Sequence, residues 1–283
     1  MSPLPHPARR LLLARLACGV VLPALWPALR PESAHAAELH PRTIEAFNRY
    51  VSLTERRTAS ATPALWFDDR DEARRRRIEE DLRRGGLFID RLDTRDGSTR
   101  IEVPDGLIHH WLGLVFVPGA TTAQAVALLQ DYDRHATVYA PAVQRSTRLA
   151  HDGNRFRVFL RFYQKKVLTV VVNSEHDARF FEQAPGQVAS RIVSTRINEV
   201  ENPGTPQERE LPEGRDGGYL WRLNSYWRFV ERDGGVYVQC ESITLTRGIP
   251  LGLGWLVGPF VTSIPRETLE FTLATTRRVL MGG

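Results

Sequence analysis

Between Leu107 and Arg247 the chain divides into seven strand-length runs, and one amphipathic helix follows them. The runs fall at 107–117, 143–150, 155–163, 166–176, 187–199, 218–230 and 236–247. The turn signals Asp152-Gly153, Pro185-Gly186 and Asp233-Gly234 separate several of them, which makes antiparallel hairpins the natural connection. Two helical stretches interrupt the strands after the first run. One starts at Thr121 or Thr122, with Val126, Leu128 and Leu129 on its buried side, and the second stops near Tyr139 before Pro141. The closing helix spans about Pro265 to Leu280, with Leu269, Leu273 and Leu280 along one side. An antiparallel sheet of this kind has one face to bury, and a long helix across that face leaves a cavity between helix and sheet. The expected class is α+β: a seven-stranded curved antiparallel sheet wrapped around a long C-terminal helix, preceded by a mainly helical extension.

Residues 1–36 read as a signal peptide. Arg9 and Arg10 form a basic start, Leu11 to Trp26 is mostly apolar, and Ala34-His35-Ala36 supplies the small residues of a cleavage site. Pro23 and Pro27 break the apolar run, which is short for a membrane span. Arg9-Arg10 before Leu11-Leu12 loosely matches a twin-arginine signal, and Arg15 argues against a lipoprotein site at Cys18. Export to the periplasm or outside the cell, with cleavage near Ala36, is therefore expected. The formal charge of +5 falls to +2 once the four arginines and one glutamate before Ala37 are set aside, so no nucleic-acid partner is expected. Cleavage would leave Cys240 as the one cysteine, without an internal disulfide partner.

Residues 37–105 form the extension. Ile44, Phe47, Tyr50 and Val51 set a helix over 40–58. A charged helix over 68–84 is capped by Asp68 or Asp69 and ended by Gly85-Gly86. The pairs Glu72–Arg76, Arg76–Glu80 and Arg77–Asp81 are spaced to lace its surface. Short strand-like pieces follow around Asp96-Gly97, and a polar, proline-bearing insert at 201–217 reads as a mobile loop.

Two segments carry a family resemblance. Val126 to Pro141, with Asp131-Tyr132-Asp133 and Pro141, is similar to the helix pair of the START / polyketide-cyclase / coenzyme-Q-binding (SRPBCC-type) superfamily. Ile264-Pro265-Arg266, Leu269 and Thr276-Arg277-Arg278 are similar to its closing helix. The resemblance covers about residues 107–280, so the domains are expected as a signal peptide (1–36), an extension (37–105) and a START-like domain (106–283). It implies a helix-grip fold that binds lipids, isoprenoids, sterols or polyketides, in a superfamily where only some members are enzymes.

Alternation assigns the cavity face. With Asp233-Gly234 as a two-residue turn, Trp227 faces Cys240, Phe229 faces Val238 and Ser225 faces Ser242. Trp221, Leu223 and Thr244 extend this face. The opposite face, pairing Tyr226 with Glu241 and Arg228 with Gln239, suits solvent. With Gln164-Lys165 as the earlier turn, Phe156, Val158, Leu160 and Phe162 share the cavity with Thr169, Val171 and Asn173. Leu251, Leu253, Trp255 and Phe260, among the glycines of 248–260, form a candidate cavity lip that touches membranes transiently.

No phosphate loop, nucleophile elbow, metal motif or catalytic signature is present, and no cofactor or metal is expected. The expected function is an exported binding protein whose partner is a hydrophobic small molecule. Two alternatives stand beside it. One is a cyclase or hydratase using His109, His110 or Glu241 as a titratable group in the cavity. The other is an interaction module with a filled core.

Overall fold

A computed structural model describes residues 37–60, 64–166, 169–248 and 254–282, without the side chains of Ser60 and 254–262. The signal segment, Leu251 and Leu253 lie outside the described residues. The described residues open with β1 (Ala37–Glu38), α1 (Pro41–Ser60), a 3-10 turn (Trp66–Asp69) and α2 (Glu72–Arg83). Then come β2 (Leu87–Arg91), β3 (Arg95–Asp96), β4 (Thr99–Arg100) and β5 (Gly106–Pro118). α3 (Thr122–Gln130), a 3-10 turn (Tyr132–Arg134) and α4 (His135–Val138) follow. The strands resume with β6 (Val143–Asp152), β7 (Arg155–Lys165), β8 (Thr169–Ala184) and β9 (Gln187–Glu201). β10 (Arg209–Glu210), β11 (Arg215–Asp216), β12 (Arg222–Arg232), β13 (Gly235–Arg247) and α5 (Gly254–Leu280) complete the chain.

The main sheet runs β2-β5-β13-β12-β9-β8-β7-β6, every pair antiparallel, with β10 added onto β9. The seven expected strands are β5 to β9, β12 and β13; β2, from the region read as mainly helical, adds an edge. This is the α+β helix-grip arrangement. α5 crosses the inner face of the sheet from the β7–β8 hairpin, where Glu267 meets Lys166 at 2.5 Å, to β5, where Arg277 Nε donates to the Phe116 carbonyl at 3.0 Å. It starts at Gly254, not Pro265, so the backbone of Trp255 and Phe260 is helical.

Local chemistry sets most boundaries. The Thr121 hydroxyl accepts from Gln124 N, while the Gln124 amide oxygen accepts from Thr121 N, a reciprocal cap that starts α3. α2 is capped by Asp71, which accepts from Arg74 N at 2.9 Å; Asp68 and Asp69, expected as caps, lie in the preceding 3-10 turn. Asp233 and Gly234 both have positive φ (60° and 75°), as a two-residue type I′ hairpin requires.

Both faces of the sheet carry a packed layer, the outer one over β5, β12 and β13. On the inner side Val115, Trp227, Phe229 and Val238 pack with Leu129 of α3 and Leu269 and Leu273 of α5. On the outer side Leu112, Leu114 and Phe116 pack under Leu65, Phe67, Ile78 and Leu82. Ile243 and Leu245 pack under Phe47, Tyr50 and Val51 of α1. The face expected to meet solvent is therefore the floor of a second layer. Gln239 and Glu241 are buried, and the Gln239 side-chain oxygen accepts from Trp66 N at 2.8 Å. Polar side chains fit here because the extension brings partners to them.

The insert at 201–217, expected as a mobile loop, is tied to the sheet. β10 pairs with β9, and the buried Arg161 guanidinium makes two parallel 2.9 Å bonds to the Glu208 carboxylate. Such fork-to-fork pairing fixes both position and orientation.

Candidate ligand-binding site

The observed register decides which side chains face α5. β12 and β13 pair as the turn chemistry implies: Trp227 opposite Cys240, Phe229 opposite Val238, Ser225 opposite Ser242, Leu223 opposite Thr244. β7 and β8 do not. Lys165 pairs with Thr169, so the connection is three residues long, and Phe162, Leu160 and Val158 sit opposite Val172, Ser174 and His176. The odd shift sends Val171 and Asn173 to the outer face, where the Asn173 amide donates to Glu210 at 2.7 Å. Trp221 also leaves the inner face. It precedes β12 and packs with Phe47 and Ile243, its indole N–H donating to Asp216 at 3.0 Å.

The remaining expected residues divide into two groups. Phe156, Val158, Trp227, Phe229, Val238 and Cys240 belong to the packed inner core. Leu160, Phe162, Leu223, Ser225 and Ser242 are half-buried, and Thr244 is buried beside them. One row across the inner face reads His109, Thr244, Leu223, Ser194, His176, Val158, joined by strand pairing and by the Leu223 N–H donated to the Ser194 hydroxyl at 3.0 Å. The next rows run through Trp111, Ser242, Ser225 and Ile192 and through Cys240, Trp227, Ser190 and Phe180, and the first of them ends on the exposed Arg91 of edge strand β2, opposite Trp111.

The polar groups of this face carry an imbalance. Buried polar atoms are nearly always paired, yet His176 Nδ1, Ser190 Oγ and Thr244 Oγ1 have no partner among the described residues. The His176 tautomer follows from its neighbours. Ser174 donates its hydroxyl to the Leu160 carbonyl at 3.0 Å, so the Ser174 oxygen accepts from His176 Nε2–H at 2.9 Å. Burial pushes the imidazole down to about 4, so it is neutral, and Nδ1 is a free lone pair asking for a donor. His109 is likewise pushed to about 4, by burial and then by Arg91. Burial, reinforced by the Glu241 charge, pushes the Cys240 thiol well above its ordinary range, which makes it inert.

His110 and Glu241, named beside His109 for catalysis, lie on the other face. The Thr94 N–H donates to Tyr50 Oη at 2.8 Å, the Tyr50 hydroxyl meets His110 Nδ1 at 2.9 Å, and His110 Nε2 meets Glu241 at 2.7 Å. This chain ties the extension to the sheet. His176, Ser174, Ser190 and Ser194 were not singled out from the sequence. The signal for His176 was its alternation with Ala178 and Phe180, legible only once the hairpin length is known. Among the described residues no group of three or more His, Cys, Asp or Glu is placed to hold a metal ion.

No family model matches the chain, and no curated protein matches it. Similar solved structures include a STAR-related lipid transfer protein from Xanthomonas axonopodis, at 17% identity and a TM-score of 0.42, covering 63% of this chain and 95% of that one. Others are the Zhui aromatase/cyclase from Streptomyces (13%, 0.40, covering 62% and 94%) and human STARD10 (10%, 0.42, covering 73% and 79%). On its element order, sheet topology and gripping helix, the chain has an α+β helix-grip fold.

Proposed function

We propose that this chain is a binding protein that holds an apolar small molecule bearing a neutral hydroxyl between α5 and the inner face of the sheet. The observation that carries this reading is the free Nδ1 lone pair of His176, buried and locked as an acceptor. A hydroxyl or N–H of the ligand satisfies it, and the unpaired hydroxyls of Thr244 and Ser190 supply further neutral contacts. Away from Arg91 at the β2 edge these rows hold no charge, which disfavours a carboxylate or ammonium group buried among them without a counter-charge. Leu160, Phe162, Leu223, Ser225, Ser242 and Thr244 are the lining assigned to it. Export with cleavage near Ala36 is part of the proposal, on the order of basic, apolar and small residues in 1–36; N-terminal sequencing of mature protein is expected to begin at Ala37.

Native mass spectrometry of protein purified from its source, followed by organic extraction, tests the central part. The expected result is a bound mass that extraction identifies as an apolar molecule with a hydroxyl. A bare chain that also takes up no apolar hydroxylated probe overturns it.

A further inference from the structure

We propose that the uncovered outer face of β7, β8 and β9 is a docking surface for the anionic headgroup layer of a lipid bilayer. The outer face is covered unevenly. α1, α2 and the turn between them shield β5, β13 and β12, and the insert shields the Arg161–Asn173 end of β7 and β8. The other end of β7, β8 and β9 is open. There Arg155 pairs with Arg179, and Arg179 with Arg191, so three arginines stand directly opposite one another across three strands on one face.

Like charges facing across strands destabilise a sheet. Here the conflict is relieved only in part within the chain. Arg191 is held by Glu55 at 2.7 Å, and the neighbouring Arg157 reaches Glu175 only at 3.8 Å. Arg155 and Arg179 have no ion-pair partner among the described residues, although Asp152 and Asp177 lie nearby. The side chains line a depression of about 520 Å³ containing four arginines and two aspartates. A local rule broken without compensation inside the fold marks a functional surface, and an external anion supplies the missing compensation.

The apolar surroundings select a bilayer over a soluble polyanion. Phe181, two residues beyond Arg179 on the same face, is 39% exposed. A phenyl ring beside guanidinium groups fits the boundary between headgroups and acyl chains.

Co-sedimentation of the full chain with vesicles tests this. One set is phosphatidylcholine alone, and the other contains phosphatidylglycerol as about a quarter of the lipid. Binding is expected only to the second set, and it is expected to weaken with added salt. The double variant Arg155→Gln/Arg179→Gln is expected to lose about thirtyfold in partition, while its melting temperature stays level or rises as the like-charge row is relieved. Phe181→Ser, a milder change, is expected to lose partition without loss of the salt dependence. Equal binding by wild type and double variant, no preference for phosphatidylglycerol, or retention on a single-stranded oligonucleotide without vesicle binding would each overturn the proposal.

Discussion

Gly113 lies directly beneath Leu273: a side-chain carbon at Gly113 would come within 2.4 Å of the Leu273 Cδ1 atom and 2.7 Å of the Ile89 Cδ1 atom. Here α5 lies tight against the sheet, and the grip requires a residue without a side chain at this position. Gly113→Ala is expected to destabilise the protein by about 1–3 kcal/mol through overpacking. Leu273→Ala alone is expected to cost about 2–5 kcal/mol as a cavity mutation. Because the two changes compensate in space, the double variant should cost less than their sum by about 1 kcal/mol or more, measured by urea unfolding. Strict additivity would show that the helix does not rest on Gly113.

The second layer depends on the buried chain from Thr94 through Tyr50 and His110 to Glu241. Arg57 adds a more distant contact to Glu241 at 3.9 Å. Glu241→Leu removes the acceptor of His110 Nε2 and is expected to cost about 2–4 kcal/mol. The loss should localise: hydrogen exchange should rise in α1 and around Thr94 before it rises in β12 and β13. Uniform exchange across the sheet would contradict the assignment of this network to the extension.

Acidification should weaken the fold. Burial pushes His109, His135 and His176 each to about 4 from an ordinary 6.5. Between those values the unfolded chain binds more protons than the folded one, so stability falls as pH drops through the window, by up to about 1.4 kcal/mol per pH unit per histidine. Glu199 acts in the opposite sense. Burial and the Asp216 charge raise it to about 7 from an ordinary 4.5, so its contribution is lost as pH rises across that range. Three histidines outweigh it, and the urea midpoint should fall from pH 7 to pH 4.5. His176→Phe should flatten the dependence, while Glu199→Gln should steepen it below pH 7. A midpoint that rises on acidification would contradict the buried-neutral assignment of the histidines.

The strands and their order were legible because turn chemistry and alternation agree. At β12–β13 the Asp233-Gly234 pair admits one tight turn, so every cross-strand partner followed from it. At β7–β8 no residue specified the turn; one extra connecting residue exchanged Val171 and Asn173 for Val172, Ser174 and His176. The outer layer was illegible for a different reason. Tyr226, Arg228, Gln239 and Glu241 look solvated in isolation, and only long-range partners such as Trp66 and Glu55 make their burial favourable. Trp221 was misplaced because it sits one residue outside β12, where alternation no longer applies.

The most direct test of the interior site compares two probes that differ by one hydroxyl, 2-naphthol and naphthalene, bound to wild type and to His176→Phe and followed by calorimetry. A hydrogen bond donated to His176 Nδ1 predicts that wild type prefers the hydroxylated probe by about three- to tenfold, and that His176→Phe abolishes the preference while still binding naphthalene. The same preference in both proteins, or no binding of either probe to wild type, would contradict the account.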